Sequence, residues 1–488
     1  MKEKKIIVNF GMNLLRMGFG LLIPIVLLPH LSKTLGSYGM GVIQYFESIV
    51  NYLLLFSTIG IPSYGVIQIA KTRDNKKKLT IEFMELLILL VISSLLIAIV
   101  YFLFIFKINV SERKLFIIYG VYFFSQSINI DWFFQGLEEQ VYITLRIVFS
   151  KIIMIFIIIH LISNNGDLVK YGIILTVFSI FLNIVNFKKC FTYLEKDRDN
   201  LKKIQLKKHL RPCFIICLGS FFSSTYNVLD SIMLGKMVEK KYLGYYSISS
   251  KFTKFSISIV SAINIIVLPR LVNVFSKKEY GLYNLYCKKI FEAFLFFSFP
   301  MTIFLYLMAD EIIMIFSGKE FIESILTLKI LSITVPIITM AYFLRFSILY
   351  INKAEKIYTI SAFTASLSNF LFNFYFIPRY YQNGAAFGSI LAELSSVIIM
   401  LVFGYIYLKN INIINLGILK IFATTFFTGI LIIFLKQNNI IMSLKIKFII
   451  TIFLSALSYI ILSIILKVSI VMDGINMMKQ IFNKTEES

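Results

Sequence analysis

The chain has 488 residues, 58% hydrophobic and only 15% charged, with a formal net charge of +23. A soluble domain carries about 45–50% apolar and about 25% charged residues, so a water-soluble globular protein is excluded. Apolar runs of about twenty residues, each enough to cross about 30 Å of hydrocarbon, recur throughout without the alternation of a barrel, which predicts an all-α polytopic membrane protein.

The first run, IIVNFGMNLLRMGFGLLIPIVLL after MKEKK, is too long for a signal peptide, carries Arg16 and has no small-x-small cleavage site. It is read as the first spanning helix, with a kink expected at Pro24 and Pro29. Apolar runs set against polar punctuation predict fourteen helices, over 7–32, 40–69, 81–106, 114–137, 141–162, 168–187, 212–236, 243–271, 286–309, 323–350, 357–377, 384–408, 416–435 and 447–467. Helices 1–6 make an N-lobe over 1–187, and a basic cytoplasmic loop covers 188–211. Helices 7–12 make a C-lobe over 212–408, and 409–488 adds helices 13 and 14 with a tail.

Positive charge sets the orientation. The loop KTRDNKKKLT, the stretch Lys188 to Arg211, and Lys277, Lys278, Lys288 and Lys289 fall on one side with the basic N-terminus. Both termini are therefore expected in the cytoplasm. The positive charge serves topology and attraction to anionic membrane lipid. With no basic domain outside the membrane, nucleic acid is not an expected partner. A faint repeat supports two similar lobes: LGSYGMG at 35–41 has a counterpart in LGKMVEKKYLGYY at 234–246, and GIP at 60–62 in VLPR at 267–270.

Cys190, Cys213, Cys217 and Cys287 lack CxxC spacing, and His30, His160 and His209 form no HExxH pattern. SGKE at 317–320 lacks the upstream glycine of a phosphate loop. No metal or cofactor is expected.

The chemistry lies in polar residues at membrane depth, each costly unless it faces protein or water. Helical spacing groups Asn9, Asn13, Arg16 and Gly20 on helix 1, and Gln44, Glu47, Asn51 and Thr58 on helix 2. Helix 7 offers Ser220, Ser223, Asn227 and Asp230; helix 8 offers Ser247, Lys251, Lys254, Ser258 and Ser261. Arg345 on helix 10, Asn369 and Asn373 on helix 11, and Ser389, Glu393 and Ser396 on helix 12 complete the set. Each stripe also fits a purely structural role, as polar glue between helices. The cations Arg16, Lys251, Lys254 and Arg345 outweigh that role. Together with Asn13, Asn51, Asn227 and Asn373, they predict a wet cationic cavity suited to phosphate or pyrophosphate. Glu47, Asp131, Asp230 and Glu393 are the carboxylates available for ion coupling or gating.

The segment DWFFQGLEEQ (131–140) holds the single tryptophan. On one continuous helix, Ser127, Asp131, Gln135 and Glu138 share a face, and Trp132 and Phe133 point away as an aromatic anchor at the membrane interface. Asp131 then reads as an interfacial helix end, or a contact closing the inner mouth.

Several motifs are familiar: LGSYGMG, GIPSYG at 60–65 with IAKTR at 69–73, DWFFQGLE at 131–138, DSIMLG at 230–235, SSKF at 249–252, LPR at 268–270 and NFYFIPRYYQNGAAFGSILAE at 373–393. With the six-plus-eight division, the chain resembles, over its whole length, the polysaccharide flippases of the multidrug/oligosaccharidyl-lipid/polysaccharide exporter superfamily. That resemblance implies a non-enzymatic flippase for undecaprenyl-diphosphate-linked oligosaccharide, moving it between leaflets as two lobes rock, with ion-gradient coupling. It also implies a polysaccharide polymerase and chain-length machinery as partners, and makes helices 13 and 14 additions to a twelve-helix core. A lipid II or multidrug exporter of the same superfamily is one rival; the cationic stripes disfavour cationic drugs, whereas lipid II shares the diphosphate lipid. A membrane-bound polymerase is the rival from another class, disfavoured by short outward loops.

Overall fold

The computed structural model describes residues 2–104, 110–195, 204–409, 411, 415–438 and 443–476. All regular structure among these residues is helical: α1 Lys2–Ser57, α2 Ile61–Thr72, α3 Lys76–Leu103, α4 Val110–Ser127, α5 Asp131–Gly136, α6 Gln140–Leu161, α7 Leu168–Cys190, α8 Lys207–Met237 and α9 Lys240–Ser276. There follow α10 Tyr280–Leu307, α11 Ala309–Phe316, α12 Ser324–Ser332, α13 Thr334–Tyr342, a π-helical stretch Phe343–Leu349, α14 Glu355–Leu408, α15 Leu416–Gln437 and α16 Leu444–Ile465.

Ten helical stretches among the described residues are long and apolar enough to cross a membrane. Two of them, Gly11–Ser57 and Glu355–Leu408, each contain a break and each cover two of the expected spans. The fourth and seventh expected spans are α4 and α8.

In α1 the helical geometry breaks at Gly36 (φ 65°, ψ −177°), between the first and second expected spans, and Pro24 and Pro29 lie inside the helical run. Such an angle is open to glycine and costly for other residues. The ends of the second and fourth expected spans are corrected by local backbone chemistry. The second expected span ends at Ser57, because Ile59 and Gly60 take positive φ and α2 then starts at Ile61 with Pro62 in its first turn. The fourth expected span stops at Ser127. The Asn129 side chain accepts the Asp131 backbone N–H at 2.7 Å, and a turn replaces the helix before α5. Arg345 lies in the π-helical stretch, and the α14 run breaks at Tyr381 (φ 49°).

Two compact units comprise Met1–Gly244 and Tyr245–Ser488. In the first, α4 packs on α7, α1 on α6 and α8, and α2 on α5 and α3. The two segments that resemble each other in sequence meet here. A Cβ on Gly41 would collide with the Lys240 carbonyl, and one on Gly244 with the Ser37 carbonyl, so α1 and the start of α9 touch backbone to backbone. In the second unit, α10 packs against α12, α13 and α15, and α14 against α12, α13 and the π-helix.

Polar hooks fasten α15 and the segment after α16 to α10 and α11. Buried Glu292 accepts from Asn415 at 2.7 Å and from Ser469, Lys289 pairs with Asp473 at 2.7 Å, and Lys436 pairs with Asp310 at 2.7 Å.

Candidate functional site

Asp131 begins α5, and its carboxylate collects three side chains. Oδ1 accepts from Arg146 on α6 at 2.5 Å and from Asn186 on α7 at 2.8 Å, while Oδ2 accepts from Asn129 at 3.4 Å. The Arg146 side chain is 6% exposed. One of its nitrogens serves Asp131, its plane lies 5.5 Å from the Tyr142 ring centre, and its Nε and Nη1 have no hydrogen-bond partner. Arg16 on α1 donates to Asn13 at 2.7 Å and lies within Coulombic range of both Asp131 and Arg146. Arg146 thus holds the ion pair with this carboxylate, and Arg16 lies in its field.

The surrounding contacts fix this geometry. Asn9 donates to the Glu138 carbonyl at 2.9 Å, and Arg73 pairs with Glu138 at 2.5 Å. Thr144 donates to the Met12 carbonyl at 3.0 Å, and His30 meets the Ile162 carbonyl at 2.9 Å. Both of these last contacts link residues 132 apart, so α1 and α6 run parallel and in register.

Trp132 and Phe133 correct the expectation of an interfacial anchor: they are 2% and 0% exposed, inside a core that includes Ile61, Ile69, Phe83 and Phe134. A Cβ on Gly65 would run into the Trp132 ring. A turn separates α4 from α5, so Ser127 and Asp131 do not lie on the one continuous helix that the expected shared face requires. The aromatic residues instead wedge α5 between α2 and α3.

The other expected residues are placed as follows. Glu47 on α1 is half-buried, accepts from Tyr171 and faces Tyr119 and Tyr122. Asn51 is exposed and Asp230 buried; the Asn227 side chain lies outside the described ones. On α9, Lys251 is half-buried and Lys254 exposed. Arg345 stacks on Tyr358 at 3.8 Å, and Tyr342 lies within electrostatic range of both Arg345 and Glu393. Buried Asn373 donates to Asn369 at 3.1 Å.

Arg146, Lys151 and Asn186 were missed by the sequence reading. The signal was available for the cations: both interrupt the apolar run YITLRIVFSKIIMIF, just as Arg16 interrupts the first.

A second carboxylate cluster was not legible from spacing. Glu85 on α3 accepts from the Gln205 N–H at 2.6 Å, His209 Nε2 at 2.9 Å and Lys208 Nζ at 2.8 Å. Glu82 accepts from Lys208 at 2.7 Å, and Tyr64 holds the other His209 nitrogen at 3.1 Å. Ligand atoms of Glu82, Glu85 and His209 lie within 4.8 Å of one another, a grouping open to a metal ion. The Lys208 ammonium already occupies the cation's place against both carboxylates, so the cluster fits a clasp better than a metal centre.

Among the described residues, ten helices are long and apolar enough to cross a membrane, several of them carry half-buried cations, and the relatives fit such a chain. The model of the polysaccharide biosynthesis protein family matches residues 4–264, and that of the MatE family matches 216–378. The chain belongs to the polysaccharide biosynthesis protein family. It is 20% identical, over 79% of its length and 93% of the relative's, to a protein of Escherichia coli (strain K12) named for O-antigen transport. In fold it is similar to the lipid II flippase MurJ in an inward closed conformation (TM-score 0.67, 17% identity, 92% of this chain and 97% of that one). It is also similar to an inward-facing multidrug resistance MATE family transporter (TM-score 0.60, 12% identity, 81% and 95%). The matched proteins are transporters, not enzymes.

Proposed function

We propose that the chain carries undecaprenyl-diphosphate-linked oligosaccharide from the cytoplasmic to the outer leaflet of the inner membrane, by alternating access coupled to an ion gradient, for surface polysaccharide synthesis. The observation that carries the reading is Arg16: a half-buried guanidinium within a spanning helix whose hydrogen-bond partner is a neutral asparagine. Such a residue costs free energy at membrane depth unless it meets an anion, and a diphosphate headgroup is the anion this family's cargo would bring. The family match over 4–264 supports the glycan side of the reading.

In this reading Arg16, Lys251, Lys254 and Arg345, with Asn13, Asn51, Asn227 and Asn373, handle the headgroup. Glu47, Asp131, Asp230 and Glu393 are the candidates for ion coupling or gating. Both termini lie in the cytoplasm, and a polysaccharide polymerase with its chain-length machinery receives the product.

Arg16→Ala or Lys251→Ala should leave the protein in the membrane while lipid-linked oligosaccharide accumulates in the cytoplasmic leaflet. Wild-type surface glycan in both variants would sink the cationic reading. The likeness in fold to MurJ favours one second reading, lipid II as cargo. Rescue of cells depleted of their lipid II flippase, without rescue of a glycan-flippase deletion, would select it.

A further inference from the structure

α6 carries two cations that the reading above does not use. Arg146 leaves Nε and Nη1 unpaired in a side chain that is 94% buried by its 6% exposure. Buried guanidinium donors without partners are costly, and Asp131 is the only carboxylate in contact with this one among the described residues. Lys151 has no hydrogen bond or ion pair among the described residues and is half-buried.

Lys151 lies eleven residues into a 22-residue spanning helix, about 17 Å from its start at about 1.5 Å per residue. A lysine stem reaches only about 6 Å, so snorkelling from that depth to an interface does not relieve the charge. Seven residues after Thr144, it occupies the same face of α6, the face whose Thr144 hydroxyl holds the Met12 carbonyl of α1. The parallel register sets it opposite position 19 of α1, between Gly18 and Gly20, where a Cβ would meet nothing within 4 Å. At this level of α1 the chain leaves room on both sides of position 19. Arg146 is five residues earlier, about 7.5 Å nearer the start of the helix and within Coulombic range of Arg16.

We propose that α6 forms a two-step phosphate track, in which Arg146 with Arg16 receives an isoprenoid-linked diphosphate and Lys151 receives it deeper in the membrane. This rests on the flippase reading above and names the residues that take the headgroup inward. The single Asp131 carboxylate positions Arg146 while leaving its spare donors free. Lys151, with no counter-ion, is the stronger attractor, so the headgroup is drawn away from the interface instead of being trapped there.

The test uses the full chain in lipid nanodiscs, with geranylgeranyl diphosphate as probe and inorganic pyrophosphate as competitor. Lys151→Met should weaken probe binding about tenfold or more, the loss of one charge-assisted contact, while Lys151→Arg stays near wild type. Lys151→Met should melt no lower than wild type, because an unpaired cation is removed. Arg146→Lys keeps the charge but loses the fork, and should weaken binding while keeping the fold.

Lys151→Cys should react with a water-borne anionic thiol reagent, above the background of the wild-type cysteines, and be protected by the probe. Wild-type probe affinity in Lys151→Met, or no reaction at Cys, overturns the track and leaves the flippase reading standing. A wild-type protein that binds no isoprenoid diphosphate overturns both.

Discussion

The first unit contains two carboxylate clusters of similar make-up and opposite balance. At Glu85, a fully buried carboxylate is saturated: a lysine, a histidine and a backbone N–H all converge on it, and Glu82 shares the lysine. What remains without a hydrogen bond there is an acceptor, Glu82 Oε2, which lies 3.5 Å from His209 Nε2. At Asp131, one carboxylate serves an arginine and two asparagines, and what remains unpaired are donors on Arg146. A cluster whose charges and hydrogen bonds close on themselves has nothing to offer a ligand and holds the chain together. A cluster left with spare cationic donors is an anion site. The clasp joins 204–211 to α3, whereas the Asp131 cluster joins α5, α6 and α7 beside α1.

The largest expected effect is on the closed cluster. Glu85→Leu removes the buried acceptor of the Gln205 N–H and of the 1%-exposed His209 side chain and leaves Lys208 with Glu82 alone, and breaking a buried pair from one side costs about 3–5 kcal/mol. Trp132, the single tryptophan, sits in the same core as Leu79, Phe83 and Cys213, so its fluorescence reports the loss directly. Flux per folded molecule should be unchanged. A Glu85→Leu protein that melts normally but fails to transport would break the comparison by making the clasp functional.

Asp131→Asn should cost less, about 1–3 kcal/mol, because Asp131 is 21% exposed and Asn186 and Asn129 can re-pair. Its signature is different: Arg146 loses its counter-charge, so anionic probe binding should tighten while release slows. A double-mutant cycle with Arg146→Gln isolates the pair, and near-zero coupling would remove Asp131 as the positioner.

The helical class and most of the spans were legible because hydrophobic length and charge depletion are written residue by residue. The broken fourth span was not. Asp131, Gln135 and Glu138 fit a helical face continuing from Ser127, but the Asn129 side chain competes for the backbone and stops the helix between. Once α5 turns, Trp132 goes to the core instead of the interface. Arg146 and Lys151 were readable from the same rule that found Arg16. The Glu85–His209 contact joins residues 124 apart, which no local spacing encodes.

Gly65 tests whether the Trp132 wedge sets the position of Asp131. Gly65→Ala places a methyl against the indole ring, an overpacking worth about 1–3 kcal/mol. It should shift the tryptophan emission and weaken anion binding without touching a charge. Unchanged binding would show that the Asn129 turn alone positions the carboxylate.

The smallest effect belongs to an exposed reference pair in the second unit. Asp310 meets Lys436 at 2.7 Å and Lys329 at 3.5 Å, but its side chain is 42% exposed. Burial by itself raises this carboxyl; the hydrogen bond from Lys436 and the charges of Lys436 and Lys329 outweigh it and hold the group below its ordinary value. A depressed folded value means the stabilisation is complete above the unfolded value of about 3.9 and is lost as pH falls through the folded one. Solvent screening limits it to about 1 kcal/mol or less.

Asp310→Asn should therefore lower the melting temperature slightly at neutral pH and not at all in strong acid. A loss as large as that of Glu85→Leu would mean that exposure does not separate closed clusters from weak ones. Burial of the carboxylate would then fail as the criterion that tells a structural clasp from an open anion site.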